Sequence, residues 1–295
     1  MTMIFGVPMA VFMGQLTLGL VNGAFYALLS LGLAVIFGLL KIVNFAHGAQ
    51  YMLGAFAALL GFRYLGINYW LALILVPLVV GGCGMLMERF LLRRIAHLDH
   101  LYGLLLTFGL ALIFEGTLIN LFGVSGARYA TPEILQGGLN LGFMFLPTYR
   151  AWVLVAALAL CLFTWFMIER TRLGAYLRAG TENSQLMQAF GVNVPLLITL
   201  TYGFGVGLAA FAGVLAAPLY PVSPTMGSSL LIVVFAVVVI GGMGSILGAI
   251  LTGLGMGIIE GLTKVYYPEA SNTVIFLVMI LVLMLRPAGL FGKEA

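Results

Sequence analysis

Long apolar runs, separated by short polar or glycine- and proline-containing breaks, dominate the pattern of this chain. A helix of about 20 apolar residues crosses the hydrocarbon core of a bilayer. Residues 103–126 contain one charged side chain, Glu115, and residues 195–220 contain none. The pattern predicts an all-α polytopic membrane protein, with apolar runs near residues 8–24, 25–40, 46–62, 70–88, 103–123, 150–168, 195–217, 228–262 and 272–286.

Two of these runs do not fit a single ordinary span. Residues 8–40 form either two short spans or one long tilted helix. Residues 228–262 are too long for one span and are interrupted at 241–245, GGMGS. Irregular backbone at membrane depth is stable only where protein or a water-filled cavity satisfies its polar groups. We therefore expect broken or re-entrant helices and about 8 to 10 transmembrane segments, in a single membrane domain covering residues 1–295.

The composition excludes a water-soluble fold. Hydrophobic residues make up 63% of the chain and charged residues 7%, with a mean hydropathy of +1.17, whereas about a quarter of an ordinary soluble domain is charged. The net charge of +4 comes from basic residues that flank apolar runs, so it indicates membrane topology rather than nucleic-acid binding. Cys83 and Cys161 lie in apolar runs, and we expect neither a disulfide nor a metal pair.

The basic residues predict the orientation in the bilayer, because arginine and lysine are enriched in cytoplasmic loops. Eight of them lie in three segments that we expect on the cytoplasmic side: Arg89, Arg93 and Arg94; Arg170, Arg172 and Arg178; Arg286 and Lys293. The loops expected on the opposite side hold four: Arg63, Arg128, Arg150 and Lys264.

One polar segment stands between two of the apolar runs. Lys41, Asn44, His47 and Gln50 put four polar side chains in ten residues, at a near three-residue spacing that would group them on one helical face. They either line a translocation pathway or form an ordinary polar turn at the membrane surface. His47 is too isolated to be a metal ligand, and we expect it to be a packing residue.

The glycine-rich break is the second candidate site. Residues 241–248 contain four glycines, and glycine costs about 1 kcal/mol relative to alanine inside a helix. An unwound backbone at Gly241, Gly242, Gly244 and Ser245 would offer amides and a helix N-terminus to a substrate carboxylate. The alternative is a close helix crossing, at which glycine only permits contact.

The third candidate is the polar segment 169–193. It contains helix-compatible pieces, with Leu173 and Leu177 four residues apart and Leu186 and Phe190 likewise. These apolar residues have no obvious core to enter. A helix there either places Leu186, Met187 and Phe190 in a groove of a peripheral partner or rests on lipid headgroups.

Few acids lie in the apolar runs. Glu115 and Glu260 are the two that we expect inside the membrane, where an ionisable side chain is commonly functional; we favour structural roles for both. The chain has no Walker sequence, no paired metal ligands and no catalytic arrangement of nucleophile and base. It is therefore not expected to be an enzyme or to bind a cofactor.

Six stretches of the chain resemble the LivH-type permeases of branched-chain amino acid ABC importers. They follow the family order from near residue 15 to residue 292: 19–28 (GLVNGAFYAL), 43–48 (VNFAHG), 190–193 (FGVN), 222–227 (VSPTMG), 241–245 (GGMGS) and 285–292 (LRPAGLFG). The resemblance implies an ABC importer permease in a bacterial inner membrane, moving branched-chain amino acids.

The resemblance also implies partners and residue roles. It implies a heterodimer with a second permease, two cytoplasmic ATPases that hydrolyse the ATP, and a periplasmic substrate-binding protein. Segments 41–50 and 241–248 would be two halves of the pathway, and the loop at about 170–193 would couple to an ATPase. The coupling residues would be Arg178, Glu182, Leu186, Met187, Phe190 and Gly191.

Other substrates and another energy source also agree with the sequence. Urea, short-amide and general amino acid importers use permeases of the same type, and no side chain here selects among these substrates. The broken helix, Glu115 and Glu260 are also features of an ion-coupled secondary transporter.

Overall fold

The computed structural model describes residues 3–4, 6–40 and 43–292 of the 295-residue chain. In chain order the helices are α1 (Met9–Leu40), α2 (His47–Leu65), α3 (Tyr69–Met87), α4 (Arg93–Ile95), α5 (His100–Phe122), α6 (Thr148–Arg170), α7 (Arg172–Glu182), α8 (Ser184–Ala189), α9 (Val194–Ala216), α10 (Met226–Gly241), α11 (Ile246–Tyr266) and α12 (Val274–Leu285). A π-helical turn, Glu88–Leu92, joins α3 to α4. Two antiparallel hairpins are formed by β1 (Met3–Ile4) with β2 (Val7–Pro8) and by β3 (Gly138–Asn140) with β4 (Phe145–Pro147). The predicted all-α class is confirmed.

The two apolar runs that did not fit a single span, 8–40 and 228–262, have different structures. Residues 9–40 form one 32-residue helix, α1, which contains no proline. At 1.5 Å per residue this helix is about 48 Å long, more than a perpendicular span requires. The run 228–262 is broken as predicted: α10 ends at Gly241 and α11 begins at Ile246.

Six helical segments within the described residues are long and apolar enough to cross a membrane. They are Met9–Gly38, Tyr69–Ile95, His100–Phe122, Thr148–Arg170, Val194–Ala216 and Ile246–Tyr266. Helices α10 and α12 are apolar but shorter. These eight helices, together with the 19-residue α2, make up the polytopic helical protein that the sequence predicts.

The chain divides into two compact units. Unit 1 takes its described residues from Met1–Ser30, Thr131–Cys161 and Val233–Ala295, and unit 2 from Leu31–Ala130 and Leu162–Ile232. Three of the four divisions fall inside α1, α6 and α10, so each of these helices contributes to both units, and the fourth falls in the loop after α5.

In unit 1, glycines bring the first part of α1 against α11. A Cβ atom on Gly19 would lie 2.5 Å from the carbonyl oxygen of Gly257, and one on Gly23 would lie 2.9 Å from that of Leu254. Lipid tails are as apolar as the side chains, so helices in a bilayer associate through close packing of this kind. A separate apolar cluster of α10, α11 and α12 contains Val237, Ile240, Met256 and Ile275.

In unit 2, α9 is the central helix, with α2 and α3 packed against it. On the α2 side, a Cβ on Gly54 would lie 2.6 Å from the Ala210 Cα. On the α3 side, a Cβ on Gly81 would lie 2.8 Å from the Gly203 carbonyl oxygen. Only three residues of α5 are buried, so most of this apolar helix lies on the surface of the described chain.

The crossing of α2 and α9 generates the first prediction. Gly54→Ala forces the two backbones apart, and overpacking of this kind costs about 1–3 kcal/mol. We expect a lower thermal unfolding temperature for the detergent-solubilised protein. Gly82→Ala is the matched control in α3, since its new methyl group would meet open space. Equal unfolding temperatures for the two variants would contradict this packing.

Candidate functional site

The polar segment before α2 forms a buried cluster in unit 2. The Asn44 side-chain amide donates to Gln50 Oε1 at 3.0 Å, and the Gln50 amide lies 3.5 Å from the Tyr202 hydroxyl of α9. All three side chains are buried. The Asn44 Oδ1 also accepts a hydrogen bond from the backbone of Ala46 at 3.1 Å, which fixes the turn that leads into α2.

The expectation of one helical face is wrong for Asn44. Helix α2 begins only at His47, so Asn44 lies in the preceding turn, and the turn brings its side chain to Gln50. Lys41 lies outside the described residues. His47 is fully buried against α1, where a Cβ on Gly32 would lie 2.9 Å from its Cε1; this is the packing role that the sequence predicted.

A cavity of about 150 Å³ opens beside Gln50. Apolar side chains of α2, α3, α5 and α9 line it, among them Leu53, Val80, Leu110 and Val206. Gln50 places an amide on its wall. The space is large enough for a small aliphatic group, with one polar group available to orient it.

Sequence reasoning missed an ionic cluster one turn from Tyr202, in which Glu88 and Thr199 are buried and the Arg93 side chain is 38% exposed. Glu88 is 2% exposed and accepts from Arg93, with Nε to Oε1 at 3.3 Å and Nη2 to Oε2 at 3.1 Å. The Thr199 hydroxyl donates to Glu88 Oε2 at 2.6 Å, and Arg93 Nη2 also donates to the Pro195 carbonyl at 2.8 Å. The available signal was an acid at the end of an apolar run with an arginine five residues later.

Residues Leu290 and Phe291, which follow α12, cover the glycine-rich break. Gly242 and Gly244 have φ angles of 97° and 86°, a left-handed conformation that favours glycine. The backbone amides of Leu290 and Phe291 donate to the carbonyls of Ile240 and Gly241 at 2.8 and 3.1 Å. The carbonyls freed where α10 ends are therefore satisfied by protein.

The other glycines of the break bring α10 and α11 together. A Cβ on Gly241 would lie 2.7 Å from the Gly248 carbonyl oxygen, which is the close crossing considered as the alternative. Ser245 begins α11 by accepting from the Gly248 amide at 3.1 Å. Gly241 and Gly242 are buried, while Gly244 and Ser245 are half-buried. These residues belong to unit 1, and the described part of the segment 41–50 belongs to unit 2.

The segment 170–193 folds as two short helices, α7 and α8, as its pattern predicts. The expectation that its apolar residues have no core is wrong for Leu177, which is 5% exposed. The reason is a tight turn after α6: a Cβ on Gly174 would collide with the Ile168 carbonyl. Arg178 donates to the same carbonyl at 2.9 Å, and α7 is thereby held against the rest of unit 2.

The apolar side chains of α8 and of Phe190, which directly follows it, are mostly exposed. Phe190 is 76% and Leu186 is 53% exposed, whereas Met187 is half-buried. Glu182 is exposed, and Gly191 ends the helix with a φ angle of 83°. The structure therefore brings the predicted coupling residues onto one short segment of unit 2, with two large apolar side chains facing outward.

The two intramembrane acids differ in their surroundings. Glu260 is buried, accepts from the Tyr26 hydroxyl at 2.6 Å and forms an ion pair with Lys264 one turn later. This is the hydrogen-bonded structural acid that we favoured. Glu115 is half-buried on the mostly exposed α5.

Comparisons with known proteins point to one family. A family model described as the permease component of branched-chain amino acid transport systems matches residues 15–283. The chain is 31% identical to the high-affinity branched-chain amino acid permease protein LivH of Escherichia coli K12, covering 96% of each. It is 30% identical to BraD of Pseudomonas aeruginosa, also over 96% of each. It is 28% identical to LivM of Escherichia coli K12, over 90% of this chain and 67% of that one. No solved structure gives a significant match.

The contact between the break and the C-terminal segment can be tested by Gly242→Ala. The substitution strains a left-handed residue, which costs about 1–3 kcal/mol, and it pushes a methyl group into the backbone of Gly292. We expect a lower unfolding temperature and faster proteolysis of the C-terminal segment. Gly255→Ala in α11 is the control, because its methyl group would meet open space. Unchanged proteolysis in Gly242→Ala would contradict the contact.

Proposed function

This chain belongs to the family of permease components of branched-chain amino acid transport systems, and from that membership we propose that it is the membrane-spanning subunit of an ATP-driven importer. Its substrates are the branched-chain amino acids named for its relatives LivH and BraD. It acts as a single permease domain in a bacterial inner membrane.

The exposed apolar surface formed by α8 and the following Phe190 is the observation that carries the ATP-driven mechanism. Phe190 and Leu186 project from a polar segment that follows the membrane-spanning α6. Exposed aromatic and aliphatic side chains on a short helix are suited to insertion into a groove of a peripheral protein. A cytoplasmic ATPase subunit is the partner that fits, since this chain has no nucleotide-binding sequence of its own.

The residues of this chain that are proposed to contact the ATPase have different roles. Leu186 and Phe190 supply apolar contacts, and Met187 supports them from its half-buried position. Glu182 adds a charge at the rim, and Gly191 permits the turn that ends α8. Arg178 positions α7 through the Ile168 carbonyl and through its ion pair with Glu169 at 3.4 Å.

The transport pathway in this proposal includes both polar segments. The residues proposed for it in the first segment are Lys41, Asn44, His47 and Gln50, and the Gln50 amide beside the cavity is the best-supported contact. Those proposed in the second segment are Gly241, Gly242, Gly244 and Ser245, of which the half-buried Gly244 and Ser245 are more accessible than the buried Gly241 and Gly242.

The complete importer contains further proteins. Similarity to both LivH and LivM supports pairing with a second, related permease. Two ATP-hydrolysing subunits bind on the cytoplasmic side, and a periplasmic binding protein delivers substrate. The ion pair of Glu260 with Lys264 leaves this acid less suited to carry a coupling ion, which favours ATP over an ion gradient as the energy source.

Reconstitution tests the function directly. Proteoliposomes containing both permeases, the ATPases and ATP are expected to import labelled leucine when the binding protein is present, and excess isoleucine and valine should compete. Vesicles with this chain alone and a proton or sodium gradient are expected to import none. Gradient-driven uptake by the chain alone would refute the ATP-driven mechanism, and competition by urea but not valine would move the substrate class to short amides.

The docking role of α8 is tested by Phe190→Asp. Burying a charge where an aromatic side chain is expected should lower co-purification of the ATPase with the permease about tenfold or more, as for a binding hot spot. Ile134→Asp is the matched control, because Ile134 is 78% exposed and lies in a short 3₁₀ turn that precedes α6 in the sequence, outside the segment 170–193. Normal ATPase recovery with Phe190→Asp, or an equal loss with Ile134→Asp, would count against the assignment.

A further inference from the structure

The Glu88 cluster depends on a local change of helix type. The backbone N–H of Arg93 bonds to the carbonyl of Glu88, five residues earlier. In an α-helix the neighbours on one face are three or four residues apart, so positions 88 and 93 would diverge. The π-helical turn Glu88–Leu92 places both side chains where the arginine fork meets both carboxylate oxygens.

The cluster fastens the start of α9 to the end of α3. Arg93 bonds to the carbonyl of Pro195, and Thr199 bonds to Glu88. Asn193 caps α9 through the amide of Leu196 at 3.0 Å, so α9 begins where the coupling segment ends. A displacement of α7 and α8 would therefore reach the cluster within the first two turns of α9.

Helix α9 also connects the Glu88 cluster to Gln50. Tyr202 lies three residues after Thr199, on the same side of α9, and its hydroxyl is 3.5 Å from the Gln50 amide. Gln50 in turn holds Asn44. The buried polar groups thus run from the end of the coupling segment to the turn before α2, all within unit 2.

Stability alone is a weak reason for this arrangement. Burying the Glu88 carboxylate carries a desolvation cost, and its attraction to the 38% exposed Arg93 is partly screened by solvent, so the pair adds little net stability. A π-turn gives up regular helical hydrogen bonding and is common at functional sites. Here the turn holds the ion pair, and the ion pair holds two helices in one relative position.

We infer that Glu88, Arg93 and Thr199 form a positioning clasp that transmits movement of the coupling segment to Gln50 and Asn44. This inference rests on the proposed function. The clasp keeps α9 and the end of α3 moving together when the ATPases displace α7 and α8. Without the clasp, ATP hydrolysis continues, but residues 44–50 no longer move with α7 and α8.

The experiment measures leucine imported per ATP hydrolysed, in proteoliposomes containing the full importer. Thr199→Val keeps the side-chain shape but removes the hydroxyl that joins Glu88 and Arg93. Because loss of a hydrogen bond to a charged group weakens a contact about tenfold or more, we expect the ratio to fall about tenfold with normal assembly. Thr199→Ser restores the hydroxyl and is expected to restore the ratio.

Thr201→Val is the matched control. Thr201 is also buried on α9, but among the described residues its hydroxyl bonds only within the helix, to the Leu197 carbonyl at 2.8 Å. Its ratio is expected to stay at the wild-type value. An unchanged ratio in Thr199→Val, an equal fall in Thr201→Val, or no recovery in Thr199→Ser would overturn the clasp.

A second variant covers the case in which Thr199→Val does not assemble. Arg93→Lys keeps a positive charge beside Glu88 but lacks the planar fork that reaches both carboxylate oxygens. The import ratio is expected to fall here too, and a wild-type ratio would overturn the clasp. Failure of the wild-type importer to move leucine with ATP would instead refute the proposed function.

Discussion

Close backbone contact between helices is the constraint on which this structure depends. Inside a bilayer, apolar side chains gain little by leaving lipid for each other, so helices are held by tight packing and by hydrogen bonds. Glycines permit this packing in both units. Gly19 and Gly23 admit α11 against α1 in unit 1, and Gly54 and Gly81 admit α2 and α3 against α9 in unit 2. The abundance of glycine in this chain is thus a packing requirement as well as a source of flexible turns.

Polar groups within the described helices show the second consequence of the same environment. A buried polar group without a partner is costly, and the carbonyls at the end of α10 are accordingly bonded by the C-terminal segment. Glu260 is paired with Lys264 and Tyr26, and Glu88 is paired with Arg93 and Thr199. The Tyr26–Glu260 and Thr199–Glu88 hydrogen bonds join helices that are distant in the sequence.

Buried and exposed side chains of the segment 170–193 have different roles. The segment that follows α6 buries Leu177 for its own attachment and leaves Leu186 and Phe190 outside. The Gln50 amide is buried yet borders a cavity, and it is connected through α9 to the place where that segment ends. A permease that receives its energy from another protein requires both features: an external surface for the partner and an internal route to the pathway.

The sequence by itself determined the membrane class, the helix break at 241–245 and the family resemblance, because hydropathy and glycine content act locally and do not depend on which helices meet. It also placed helices in the segment 170–193. Only the tertiary structure decided that residues 9–40 are one helix, that Asn44 reaches Gln50 from a turn, and that Leu177 is buried. The Glu88–Arg93 pair belongs with these, since it requires a π-turn and a threonine more than a hundred residues away. Such contacts depend on how helices pack, and the periodicity of a single segment carries no information about that packing.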